Sequence, residues 1–154
     1  MSVATKTTFV INAAFLQEIK DSNPDLYHTI DELRAVCVSD LPPAALCRRL
    51  TRLLDQLRDQ IALQFSLEES YGYMAVPSHP DEVMCEAAGR AQGSHGMLYM
   101  QLSDLAEQAE ELQYRGVELS QLKALLRDVR DFECRLDEHE RCENELIQRC
   151  FRLP

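Results

Sequence analysis

The stretch LSQLKALLRDVRDFECRLDEHERCENELIQRC, residues 119–150, decides the fold class. Leu122, Leu125, Val129, Phe132, Leu136, His139, Glu143, Leu146 and Cys150 recur at steps of three and four. That spacing predicts a long amphipathic helix with one core-facing seam. The seam is apolar until its last third, where an imidazole and a carboxylate stand one turn apart in its path.

Three more seams share the period. Leu16, Ile19, Asn23, Leu26, Ile30, Leu33 and Cys37 form the first, and Leu50, Leu54, Leu57 and Ile61 begin the second, which continues into Gln64 and Glu68. Ala88, Ala91, His95, Leu98, Leu102, Leu105, Ala109 and Leu112 form the third. Strand signals are nearly absent, and helix formers dominate. The expected fold is all-α, an antiparallel up-down-up-down four-helix bundle forming a single domain over residues 1–154. Breaks fall where such a bundle needs them. Pro42 and Pro43 part the first two helices, Gly72 follows the second, Ser78 or Asp81 caps the third, and Gly116 ends it. Ser22-Asn23-Pro24 is also a helix start, but the seam crosses it in phase, so one helix kinked at Pro24 is expected. Gly89, Gly93 and Gly96 suggest either a close helix approach or a local distortion.

Composition narrows the function. A formal net charge of -10 argues against general nucleic-acid binding and against docking on anionic membrane. No stretch is long and apolar enough to span a bilayer, and the N-terminal run is broken by Asn12 before it resembles a signal peptide. The six cysteines show no CxxC spacing, so reduced thiols in a cytoplasmic protein are expected. No nucleophile–base pair or phosphate loop stands out, and no enzymatic activity is expected.

The seam residues that are not apolar are Asn23, Gln64, Glu68, His95, His139 and Glu143. In the expected bundle all of them lie roughly 10 to 20 Å from one end, at a rise of 1.5 Å per residue. They can form a single polar layer. A lone seam histidine is usually a satisfied core residue, and a seam glutamate near a helix end is often functionless. Two of each at one height are less easily dismissed, because buried carboxylates are costly unless paired or bound to metal. The layer therefore predicts a divalent metal ion held by Glu68, His95, His139 and Glu143, with Gln64 a weak fifth ligand. Imidazole and carboxylate suit iron, manganese or zinc. His28 points away from its seam, and His79 falls in a loop.

LQFSLEESYGYM (63–74), SHGMLYMQL (94–102) and LDEHERCENELI (136–147) resemble segments of the hemerythrin-like HHE cation-binding bundles, and FLQEIKDSNPDLYHTIDELR (15–34) resembles their first helix less specifically. The resemblance implies an iron site in which Glu68 and Glu143 match bridging carboxylates and His95 and His139 match histidine ligands. The family's second-helix histidine falls on Gln64, its first-helix histidine falls near Asn23, and another falls on Ala91 or Tyr99. With those imidazoles missing, one ion or a partial di-iron site is expected, serving metal sensing, storage or small-molecule binding rather than oxygen transport. The alternative is a metal-free bundle acting as a structural or interaction module.

Overall fold

In the computed structural model, which describes residues 8–77 and 81–152, the described chain is mostly helical, with a small two-stranded sheet. Strand β1 (Thr8–Ile11) leads into α1 (Ala13–Asp21) and α2 (Pro24–Cys37), followed by α3 (Pro43–Leu67). A π-helical turn, Glu68–Gly72, extends α3 into β2 (Tyr73–Val76), and α4 (Glu82–Arg115) and α5 (Leu119–Arg152) complete the fold. Helix α2 packs on α3, α3 on α4, and α4 on α5, while α1 and α2 both return to α5.

The seams of α3, α4 and α5 are buried as expected, with Cys150 half-buried at the end of the last. The first seam departs from expectation. Instead of one kinked helix, the chain forms two, broken at Ser22 and Asn23. Pro24 starts α2 at a position where its missing N–H costs nothing. The break resets the phase of α1, so its buried face is Leu16 and Lys20, and Ile19 is only half-buried. Asn12 caps α1, its side chain accepting from the Phe15 N–H at 3.2 Å. Asp81 caps α4 in the same way at 2.9 Å, whereas Ser78 and His79 lie outside the described residues. Gly116 ends α4 at a φ of 102°. Gly93 and Gly96 have open space where a side chain would stand, so they mark neither a close approach nor a break in α4.

The strands are the second departure. Thr8 pairs with Val76 and Ile11 with Tyr73, antiparallel. Each strand is four residues long, too short to register as a period against the helical background. The ribbon lays β1 over α4 and draws Tyr73 inward until it is 5% exposed. Tyr71 stays exposed.

Two apolar clusters result. The larger one joins α2 and α3 to Leu98–Leu112 of α4 and Leu122–Leu136 of α5. The smaller gathers Ile11, Leu16, Tyr73, Met84, Ala88, Ala91, Leu146 and Ile147. On α4 and α5, which contribute to both, the buried residues between them are polar: His95 on α4, and His139 and Glu143 on α5; Lys20 of α1 lies at the same level, between Leu16 and the start of α2. The entry into β2 is seated by Gly72, where an added Cβ would lie 2.8 Å from Cδ1 of the fully buried Leu16. Gly72→Ala is expected to lower unfolding free energy by about 1–3 kcal/mol, the usual cost of overpacking, and denaturant unfolding at unchanged m-value reads it out.

Candidate metal centre

Helix spacing brings His139 and Glu143 to one face of α5, at i and i+4. Glu68 arrives from the π-helical turn at the end of α3, and His95 from the middle of α4. A π-turn widens the helix locally and is a common device for re-aiming a side chain at a site. One ligand atom from each of the four residues lies within 4.8 Å of all the others, and all four residues are buried. His95 Nε2 stands 3.0 Å from Glu68 Oε1 and 3.8 Å from Glu143 Oε2. His139 Nε2 stands 3.2 Å from Glu143 Oε1.

These separations are short, yet among the described residues Glu68 Oε1, His95 Nε2 and His139 Nε2 lack a partner that meets hydrogen-bond geometry, and Glu143 Oε1 has besides them the ion pair with the Lys20 ammonium at 2.9 Å. The outer nitrogens of the two rings each meet an oxygen. Ser94 Oγ spends its one proton on Ala91 O at 2.7 Å. It therefore meets His139 Nδ1, 2.6 Å away, as an acceptor. In the neutral ring this places the proton on Nδ1 and leaves the Nε2 lone pair facing the carboxylates. His95 Nδ1 faces Glu69 Oε1 at 3.3 Å, which sets the same tautomer. Histidines that ligate metals are oriented in this manner, with the second nitrogen donating to an oxygen. Lone pairs aimed at carboxylate oxygens repel unless a cation lies between them. Ligands about 2.0–2.2 Å from one ion stand roughly 3.0–3.5 Å apart, which matches the two shorter separations. The donor set fits a metal ion.

Gln64 is fully buried beside this group. Its Oε1 accepts from Asn23 Nδ2 at 3.0 Å and its Nε2 donates to Glu68 Oε2 at 3.1 Å. The amide thus fixes Glu68 and leaves Oε1 to face the ring nitrogens. Phe65 closes one side, stacked on His95 at 4.1 Å and edge-on to His139 at 5.5 Å.

The structure adds residues that the seam pattern does not reveal. Lys20 is buried, with Nζ 2.9 Å from Glu143 Oε1 and 2.5 Å from Glu140 Oε2. Tyr73 donates its hydroxyl to Glu143 Oε2 at 2.6 Å, and Tyr27 donates to Glu140 Oε2 at 3.1 Å. The step from Leu16 to Lys20, i to i+4, is visible in the sequence once the break at Ser22 is respected. Tyr73 carries no such signal, since only the strand pairing turns it inward. His28 lies on the surface with Glu32, as expected.

Electrostatics bind these groups together. Burial pushes Glu68 up to about 7, against the pull of His95. Burial disfavours charge on His95, but the contacts with Glu143 and Glu68 outweigh it and raise the ring to about 9. Burial also opposes charge on Glu143, yet His139, His95 and Lys20 hold it well below the usual carboxylate range. Lys20 is raised, because Glu143 and Glu140 outweigh its desolvation. Without metal, a proton on His95 serves as the internal cation.

No protein-family model, curated protein or solved structure matches this chain. The class that fold and site define is a helical protein with a buried Glu-His-His-Glu group able to hold a metal ion.

Two measurements probe the centre. His95 and Glu68 have folded values above their unfolded ones, so the stability they contribute is complete below the unfolded values and lost as pH rises through about 7 and about 9. Metal-free protein should accordingly melt at a lower temperature at pH 9 than at pH 6, and added Zn²⁺ should raise the melting temperature most at pH 9. A metal-induced shift that is larger at pH 6 would contradict the assignment of His95 as ligand. Ser94→Ala removes the acceptor that sets the His139 tautomer and should weaken Zn²⁺ binding about 10–100-fold, measured by chelator competition.

Proposed function

We propose that this protein is a hemerythrin-like metal-binding helical bundle with a reduced site, acting in metal sensing, storage or small-molecule binding rather than in oxygen transport. The observation that carries this reading is the convergence of four buried residues whose ligand atoms lie within 4.8 Å of one another. Packing of the helices in chain order supports a four-helix bundle whose first helix is split into α1 and α2. The short link between α4 and α5 favours antiparallel neighbours.

Two nitrogens and two carboxylate oxygens suit iron, with zinc and manganese as alternatives. Bound iron would supply redox chemistry and an exchangeable position for a small molecule. The chain itself supplies orientation and a dry site: Ser94 and Glu69 set the ring tautomers, Gln64 and Tyr73 hold the carboxylates, and Phe65 excludes water. The asparagine and glutamine at the family's imidazole positions provide no strong ligand, which argues against a complete di-iron oxygen carrier.

A metal-free interaction module is the second reading. It is supported by the hydrogen bonds from Asn23 through Gln64 to Glu68, which satisfy part of the layer without an ion. Metal content decides between them. Protein purified without chelator and exposed to ferrous iron anaerobically should retain iron through desalting, and EDTA should lower its melting temperature. His139→Ala should lose both the iron and the EDTA response. A wild-type protein that takes up no Fe²⁺, Zn²⁺ or Mn²⁺ would establish the metal-free module instead.

A further inference from the structure

We propose that Lys20 is a fixed counter-cation that limits the centre to one divalent ion. This rests on the metal-binding reading above and specifies its stoichiometry and the control of its affinity.

The lone pairs that do not face the histidine nitrogens are already engaged. Glu68 Oε2 accepts from Gln64 and Glu143 Oε2 from Tyr73. Glu143 Oε1 stands between His139 Nε2 on one side, at 3.2 Å, and the Lys20 ammonium on the other, at 2.9 Å. A second ion bound to Glu143 would meet that ammonium, and Lys20, Gln64 and Tyr73 offer it N–H and O–H donors rather than ligand atoms. The metal-binding group has two nitrogens and two carboxylates, enough for one ion.

The buried charge agrees with this count. Glu68, Glu140 and Glu143 carry three negative charges and Lys20 one positive, which leaves -2 with both histidines neutral. One divalent ion brings this to zero, whereas two would leave +2 in a site shielded from water, at high cost. Glu69 is half-exposed and screened by solvent. Glu140 touches none of the four ligand residues' metal-facing atoms, but it faces Lys20 and balances it. Lys20 and Glu140 therefore tune the affinity of the centre with opposite signs, neither being a ligand.

The experiment is Zn²⁺ titration of chelator-stripped full-length protein, followed by competition with a chromophoric chelator. Wild type should bind one Zn²⁺ per chain. Lys20→Met removes the competing positive charge and should bind the first Zn²⁺ at least about tenfold more tightly. Glu140→Gln leaves the ammonium unbalanced and should bind about tenfold more weakly. Its side chain lies at the edge of the core, so this variant serves if Lys20→Met fails to fold. Lys20→Arg retains the charge and should keep the wild-type stoichiometry. Two ions per wild-type chain would overturn the proposal while leaving the metal-binding reading intact. So would an affinity unchanged in Glu140→Gln, or unchanged or weaker in a folded Lys20→Met. No ion bound to wild type would instead defeat the metal-binding reading itself.

Discussion

The structure depends on how buried charge is neutralised between two apolar clusters. Each cluster alone is ordinary helix packing. Between them lie three carboxylates, one ammonium and two imidazoles, nearly all out of contact with water. Carboxylates in such a place require a cation, whether ammonium, proton or metal. Lys20 provides one and, among the described carboxylates, pairs with Glu140 and Glu143. Glu68 and the inner face of Glu143 depend on the proton or ion between the rings.

The surrounding architecture serves that layer. The break at Ser22 and Asn23 frees α1 to rotate Lys20 inward. The same break places Asn23 against Gln64, so a residue at a helix-start position donates to a core amide instead of capping its own helix. The π-turn carries the chain from Glu68 to Gly72, and the ribbon with β1 then fixes Tyr73 over Glu143. Stability and the geometry of the buried group are thus coupled. Groups that orient the ligands also satisfy the buried polar atoms, so altering one disturbs both.

Much of the centre was legible in the sequence because its four principal residues sit on long helices with a single period. Once the seams of α3, α4 and α5 are aligned at one end, Glu68, His95, His139 and Glu143 fall at the same height. Gln64 is legible for the same reason, although its role as a hydrogen-bonding clamp on Glu68 emerges only from its partners. The first helix is not legible in this way, because its proline break falls inside a seam that keeps its phase by coincidence, with Ile19 standing beside the residue that is buried. The strands leave no such trace because four residues cannot display a period, and their pairing joins positions 62 to 68 residues apart in the chain.

The sequence by itself determined the helices, their buried faces and the presence of charge within those faces, since each follows from local spacing and the cost of exposing apolar surface. The tertiary structure decided which charges meet. It set Glu69 and Ser94 against the outer nitrogens of His95 and His139, turned Tyr73 inward by pairing β2 with β1, and brought Lys20 against Glu143 across 123 residues of chain. Contacts of that range are fixed by the packing of whole elements against one another, and no local period records them.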